Sequence, residues 1–219
     1  MERKTGPDRD GRRDDQKDKS QVVGFGPVNS IYERIFREAK PFLNTRENLI
    51  HTRIVLRYAL KLLEKEEGDE RIVIPAVLLH DVGWKMVPEN LQLTAFGPKI
   101  SNPALARIHE VEGARIAKGI LETLQYPSPR VKEICQIIRG HDTRKRSHSQ
   151  SDRIVKDADK LFRYSRKGVA IDSARFGVSR ISRLLYLDEQ IPKWLFLPTS
   201  RHLAREELSR RRREKEGRL

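Results

Sequence analysis

The sequence predicts an all-α fold, a single bundle of helices. Apolar residues recur at spacings of three and four over most of the chain, which places them on one face of a helix. Ile54, Val55, Tyr58 and Leu62, for example, fall on the same face as His51. The sequence has no clear runs with the period of two that is typical of strands. Together these patterns favour an all-helical protein.

Capping and turn residues divide the chain into its helices. Pro41 is expected to end the first helix, and Asn44 with Glu47 has the spacing of a capping box at the start of the second. Asp69 is the expected cap of the third helix, in which Pro75 falls early, where proline is best tolerated. Later helices are expected from Pro103, Ser128 and Ser151, through residues 171–187, and over Pro198–Arg213.

Residues 84–102 are predicted to form a long loop because Pro88, Gly97 and Pro98 interrupt the helical pattern. Trp84 and Phe96 are expected to be exposed or half-buried. A loop of this length inside a compact domain is often functional, so it is either a lid over a site or a loop packed on its own aromatic residues.

Three segments are expected along the 219 residues. Residues 1–26 mix charges of both signs with little to bury, which predicts a disordered leader. Residues 27–200 carry the helical pattern and are expected to form one domain. Residues 201–219 are expected to form a basic C-terminal helix or tail whose Arg210–Arg213 run is solvated.

Composition restricts the class of protein. The net charge is +14, from 45 basic and 31 acidic residues, and would suit a polyanionic partner or a heavily ionic surface. A single cysteine, Cys135, excludes an intramolecular disulfide and a thiolate zinc cluster. No apolar run approaches a membrane span and no signal peptide is visible, so a cytoplasmic protein that does not enter membranes is expected. Walker, Rossmann and GxSxG motifs are absent.

The most informative stretch is an apolar run that ends in His80 and Asp81, with Gly83 two residues later. Burying an imidazole and a carboxylate is costly unless both have partners. A divalent cation would pair with both, since a ring nitrogen and a carboxylate oxygen are both metal ligands. The alternative is a core histidine that bonds to its neighbour at a helix end.

Other candidate ligands lie on separate helical stretches. His51 shares an apolar face in the second helix, and His109 and His141 follow later. Asp159 falls on the apolar face of the helix that starts near Ser151, whereas Asp157 points elsewhere.

This ordered set (His, His-Asp, His, His, Asp-x-Leu) resembles the HD superfamily of metal-dependent phosphohydrolases over about residues 45–165. The resemblance implies one HD-domain bundle, with His51, His80, Asp81 and Asp159 as the core ligands of a divalent ion. His109 and His141 would complete a second ion bridged by Asp81, as in two-metal members. Manganese, iron, nickel, cobalt and zinc are the candidate metals.

The reaction implied by the resemblance is hydrolysis of a phosphoester, with metal-bound hydroxide as nucleophile. The substrate would be a small phosphorylated compound, possibly a nucleotide. Asp81 and Lys85 are the expected catalytic residues. Lys85 and Arg144 are the expected phosphate contacts, although the basic loop that contains Arg144 would also suit a purely solvated role.

The branch of the family is left open. The Gly-Tyr-Pro motif and paired histidines of the cyclic-di-nucleotide branch are missing, Trp84 occupies the position of that branch's lysine, and there is no room for an alarmone-synthetase domain.

Two other functions remain as alternatives: a di-iron oxygenase on the same scaffold, and a metal-stabilised basic protein that binds nucleic acid. Against the latter, no basic patch is interleaved with aromatic residues. The oligomeric state is not predicted.

Overall fold

The computed structural model describes residues 30–97 and 100–214, and every regular element within these ranges is helical, which confirms the all-α prediction. The expected leader at residues 1–26 lies outside the described residues. The elements are α1 (Ile31–Leu43), α2 (Asn48–Leu63), α3 (Glu70–Leu79), a 3₁₀ helix (Val82–Met86), α4 (Glu89–Gln92), α5 (Ala104–Thr123), α6 (Ser128–Ile138), α7 (Gln150–Phe162), α8 (Arg166–Phe176), α9 (Arg180–Trp194) and α10 (Pro198–Arg213).

Helix α3 is the centre of the bundle. Its residues from Ile72 to Leu79 are all buried, because this stretch has apolar side chains on every side and no polar face to turn to water. It packs against α1, α2, α6 and α7. The helix therefore ends in the middle of the molecule, and the next two residues, His80 and Asp81, are buried there.

Two glycines allow the 3₁₀ helix to lie against α5 with backbone in contact. A Cβ atom added to Gly83 would lie 1.9 Å from the His109 carbonyl oxygen and 2.5 Å from the Gly113 nitrogen. A Cβ on Gly113 would lie 3.4 Å from the Gly83 nitrogen. Gly113 is thus a site of close packing between α5 and the 3₁₀ helix. This contact holds the residues that follow α3 beside the middle of α5.

Pro75 is the sixth residue of α3 rather than an early one, so that expectation is wrong. A proline at this position has no N–H to offer the carbonyl of the residue four positions earlier. That carbonyl, on Arg71, instead accepts a hydrogen bond of 2.6 Å from the Tyr126 hydroxyl. The helix continues because a side chain replaces the missing backbone donor.

Two other signals at helix ends were also misread. Pro41 lies inside α1, which continues to Leu43. Asn44 and Glu47 form no capping box, since α2 begins at Asn48 after Glu47, whose side chain makes no capping bond. Arg46 and Glu47 are both in the left-handed region, with φ of 52° and 61°. This conformation is uncommon in residues other than glycine and is often found near functional sites.

The expected domain end at residue 200 falls inside α10, which packs on α7 and α9. Ala204 and Leu208 of this helix belong to the same hydrophobic core as α3. The Arg210–Arg213 run is partly paired, since Arg211 lies 3.4 Å from Glu207 and 3.1 Å from Glu214. None of the helices in the described ranges is long and apolar enough to cross a membrane.

Asp157 secures the chain as it enters α10. Its two carboxylate oxygens accept hydrogen bonds from the backbone N–H groups of Phe196 and Leu197, at 2.9 and 2.8 Å. Burial raises its pKa to about 6 despite these bonds. Asp157 thus has a structural partner of its own, on the side of α7 away from Asp159.

Gly83→Ala should strongly destabilise the fold, because the added methyl group meets backbone rather than a side chain that can move. We expect the free energy of unfolding to fall by about 3 kcal/mol or more. The matched control is Gly119→Ala, where a Cβ in the same helix as Gly113 meets nothing within 4 Å. That change should stabilise by about 0.5–1 kcal/mol. Chemical denaturation checks both, and equal stabilities would contradict the close contact.

Candidate metal centre

The four predicted core ligands converge where α2, α3 and α7 meet. The Nε2 atom of His51 lies 3.0 Å from Nε2 of His80, 3.4 Å from Asp81 Oδ2 and 3.2 Å from Asp159 Oδ1. His80 Nε2 lies 3.6 Å from Asp81 Oδ2 and 3.8 Å from Asp159 Oδ1. Packing of α2 against α3 and α7 brings these side chains together. We call them the first donor group.

A second donor group adjoins the first. It consists of His109 from α5 with His141 and Asp142, which follow α6, and the Nε2 atoms of the two histidines are 3.4 Å apart. Asp142 Oδ2 lies 3.7 Å from His109 Nε2 and 3.8 Å from His141 Nε2. Asp142 was not among the predicted ligands, although the pair His141-Asp142 repeats the order of His80-Asp81.

Asp81 faces both groups. Its Oδ2 atom points to the first, while its Oδ1 atom lies 4.0 Å from His109 Nε2 and 3.7 Å from His141 Nε2. One carboxylate could therefore serve two neighbouring cation sites, which is the role that the family resemblance implied for Asp81.

Hydrogen bonds behind the histidines define which nitrogen is free. His80 Nδ1 lies 2.8 Å from the Val77 carbonyl, and His141 Nδ1 lies 2.8 Å from the Ile138 carbonyl. A carbonyl oxygen only accepts, so Nδ1 carries the hydrogen and Nε2 of the neutral ring presents a lone pair. Each Nε2 atom thus faces the carboxylate of Asp81, an arrangement that calls for positive charge between them, either a proton or a metal ion.

The donor chemistry fits a divalent transition metal. Three overlapping sets have ligand atoms that all lie within 4.8 Å of one another. Imidazole nitrogens with carboxylate oxygens suit manganese, iron, cobalt, nickel or zinc. The sets are His51, His80 and Asp159; His80, Asp81 and His141; and His109, His141 and Asp142.

The protonation states also fit metal binding. Burial would raise the pKa of Asp81, but the neighbouring histidines, His80 first, hold it well below its usual range. Burial lowers the pKa of His80, and burial followed by the charge of His141 lowers that of His109 to about 4. Ionised carboxylates and neutral rings are the forms that bind metal.

The pKa of His141 shows most directly that the site favours positive charge. Burial alone would lower its pKa, but the hydrogen bond to Asp81 and the charge of Asp142 raise it to about 9. Without a metal, the site therefore holds a proton at neutral pH.

Trp84 positions two of the donors. Its Nε1 donates a 3.1 Å hydrogen bond to Asp81 Oδ1, and its ring stacks on His109 with 4.0 Å between centroids and 13° between planes. Trp84 is only 2% exposed, so the expectation of an exposed or half-buried ring is wrong. The sequence feature that could have indicated this role is the position of Trp84, one helical turn after Asp81.

Lys160 links the two donor groups. Its Nζ atom lies 2.8 Å from Asp142 Oδ1 and 3.0 Å from Asp159 Oδ2. Burial would lower its pKa, but these two carboxylates raise it above its usual value. Lys160 was not among the predicted site residues, although it directly follows Asp159.

Glu110 fixes the turn that carries Asp142. The side chain of Glu110 is fully buried in α5 and accepts hydrogen bonds from the backbone N–H groups of Asp142 and Thr143, both at 2.9 Å. The Thr143 hydroxyl donates a third bond, at 2.6 Å. The turn is thereby tied to the helix that provides His109.

The two cations predicted to contact substrate lie elsewhere, and that placement needs correction. Lys85 is exposed and does not line the cavity beside the donors, because the 3₁₀ geometry turns Trp84 inward and its neighbour outward. Arg144 donates to Asp152 at 2.7 Å and to the carbonyls of Gln136 and Arg146. All three of its nitrogens stabilise the loop after α6.

A cavity of about 450 Å³ opens beside the donors, large enough for a small organic ligand. His51 and three carboxylates (Asp81, Asp142 and Asp159) line one end. Part of the predicted loop lines it too, through Phe96 and Ile100. The other walls combine aromatic and basic side chains: Phe162, Phe176, Tyr186, Trp194, Arg46, Lys160, Arg163, Arg175 and Arg183.

Comparisons with known proteins identify the family of this chain. The family model described as the HD domain matches residues 48–164, more than half of the 219 residues and all the donors named above. The chain therefore belongs to the HD domain family, which confirms the resemblance. A crystal structure of a protein described as a predicted HD superfamily hydrolase, from an uncultured Thermotogales bacterium, is similar with a TM-score of 0.54 and 23% identity. The match covers 81% of this chain and 84% of that one and bears on the fold. No curated protein matches the chain.

Asp81→Ala should lower metal occupancy more than any other single change, because this carboxylate faces both donor groups. We expect metal affinity to fall by more than about tenfold, since even residues behind the ligands contribute about 10–100-fold. His202→Ala is the control, as this side chain is 74% exposed on α10. Metal content of protein purified without chelator, measured by mass spectrometry, checks the prediction.

Chelation of the wild type should also lower the melting temperature, since the metal binds the folded state. Wild-type protein that contains no transition metal, and gains no stability when manganese, iron, cobalt, nickel or zinc is added, would contradict the metal centre.

Proposed function

We propose that this protein is a metal-dependent phosphohydrolase that cleaves a phosphoester of a small phosphorylated compound, a nucleotide being one candidate. The observation that carries the proposal is the shared carboxylate of Asp81, which faces two donor groups at the end of a cavity with basic walls. Phosphoryl transfer requires mainly charge stabilisation and positioning, and paired cations are well suited to both.

In this proposal His51, His80, Asp81 and Asp159 would hold one divalent ion. His109, His141 and Asp142, together with Asp81, would hold a second. When bound, such ions supply positive charge to phosphoryl oxygens and lower the pKa of water.

The chain's own residues prepare the site for that chemistry. Trp84 orients Asp81 through the 3.1 Å hydrogen bond, and the backbone carbonyls of Val77 and Ile138 orient His80 and His141. Phe96 and Phe162 line the cavity, and the ring of Phe162 lies 4.5 Å from that of His51, centroid to centroid. Apolar walls lower the local dielectric constant and so strengthen charge interactions beside them.

Lys160 is the cation best placed to contact the phosphate, in place of Lys85. It lines the cavity and lies between Asp142 and Asp159, so its ammonium is held at the boundary of the two donor groups. Its pKa stays above neutral for the reason given above, so it remains positively charged. A fixed ammonium there would stabilise negative charge that develops on a reacting phosphoryl group.

The first test is a phosphate-release screen of phosphomonoesters and phosphodiesters with each candidate metal. It should be run with and without oxygen. Phosphate release independent of oxygen supports the proposal. Oxygen-dependent product formation would instead identify the di-iron oxygenase, and absence of any turnover on the whole panel would refute the hydrolase.

Lys160→Ala should lower kcat/KM by about 10–100-fold on the substrate found in the screen, because it removes a fixed charge near the phosphate. Lys85→Ala is the matched control and should behave like the wild type, since that side chain is exposed and does not line the cavity. Metal content is measured for both, so that a loss of ligand order is distinguished from a loss of phosphate contact. Equal activities of the two variants would contradict the role of Lys160.

A further inference from the structure

Arg46 is a half-buried cation at the edge of the cavity, and it makes no direct ion pair with a carboxylate of the described residues. Its guanidinium carbon lies 4.1 Å from the Trp84 ring centroid and 4.2 Å from that of Phe96. Its Nε and Nη1 atoms are buried and have no hydrogen-bond partner, and no described carboxylate pairs with it. Burial lowers its pKa, but only to about 10, so it stays charged at neutral pH.

A charged group in this position is costly unless something pairs with it. The backbone of Arg46 is also left-handed, which is unfavourable for arginine. Both costs indicate that Arg46 binds a ligand. The aromatic rings cover the faces of the guanidinium and leave its edge free for hydrogen bonding.

Three more arginines line the same cavity around one buried carboxylate, that of Asp172. Arg163 and Arg183 both contact Asp172 Oδ2, the former at 3.1 Å, and Arg175 lies 3.5 Å from Oδ1. Arg183 Nε has no hydrogen-bond partner. Three guanidinium groups share a single negative charge, so this group of residues has an excess of positive charge.

Arg46 adjoins these arginines because Arg46 and Arg175 both lie beside the ring of Phe96. Arg175 lies 5.5 Å from the Phe96 centroid, the ring that Arg46 covers at 4.2 Å. Arg183 lies 5.8 and 5.3 Å from the ring centroids of Phe176 and Tyr186. The cavity thus has an acidic donor end, aromatic walls, and a basic region whose described ion pairs are made with Asp172.

We propose that Arg46, Arg175 and Arg183 form a subsite for a second anionic group of the substrate. The substrate class is then a phosphoester that carries a further phosphate or carboxylate, with an apolar portion between the two. This inference rests on the proposed function, which puts the scissile phosphate at the donor end.

The subsite is tested by binding, so that its failure is distinguished from failure of the hydrolase. Three probes that cannot be hydrolysed are compared by calorimetry on metal-loaded protein: benzylphosphonate, 4-carboxybenzylphosphonate and p-xylylene diphosphonate. We expect one or both doubly anionic probes to bind at least about tenfold more tightly than benzylphosphonate. The better of the two identifies the second group as carboxylate or phosphate.

Arg46→Gln and Arg175→Gln should each abolish this preference and leave the affinity for benzylphosphonate within about twofold. Arg115→Gln, a side chain 64% exposed on α5, should retain the preference. Arg46→Gln should change the melting temperature little, because relief of a charge without an ion pair offsets the loss of its contacts with the Trp84 and Phe96 rings.

Wild-type protein that binds the three probes equally, or binds none, overturns the subsite whether or not phosphoesters are cleaved. A preference for the doubly anionic probes that persists in both Arg46→Gln and Arg175→Gln also overturns the subsite. A marked fall in melting temperature of Arg46→Gln, with the preference retained, would assign Arg46 a structural role instead.

Discussion

The structure depends on one electrostatic requirement: imidazole nitrogens and carboxylate oxygens that face one another in the interior must have positive charge between them. Nε2 of His51 and Nε2 of His80 are 3.0 Å apart, with carboxylate oxygens of Asp81 and Asp159 beside them. Such groups repel in a medium of low dielectric constant. They come from α2, from the two residues that follow α3, and from α7, so a cation bound among them would also tie these helices together. Fold and chemistry are coupled at this point.

The broad architecture could be predicted because the signals are repeated over many residues. The spacing of three and four along α2 and the uninterrupted apolar run in α3 leave few alternatives to a buried helical bundle. Single-residue signals were less reliable, because tertiary partners override them. Pro75 is accommodated inside α3 by the Tyr126 hydroxyl, a partner 51 positions away that local sequence does not reveal. The left-handed residues Arg46 and Glu47 likewise replaced the expected capping box.

The site shows the same difference between repeated signals, which predicted well, and single-residue signals, which did not. The predicted metal donors come together because the helical periodicity and the family order of histidines and aspartates both specify which face each occupies. Lys85 was misplaced because its direction depends on whether the turn after Asp81 is α or 3₁₀, a choice set by packing against α5. Trp84, Asp142 and Lys160 were missed although each lies next to a residue that was identified. Their roles depend on distances between separate helices.

The backbone contact between Gly83 and Gly113 has a consequence for the two donor groups. Gly83 lies two residues after Asp81, and the carbonyl it approaches belongs to His109, so the contact connects a residue of each group by main chain alone. Side chains can change rotamer, but two main chains in van der Waals contact have no shorter approach available. The main-chain positions of Asp81 and His109 are therefore held at a fixed separation, so the two donor groups have little freedom to move relative to one another.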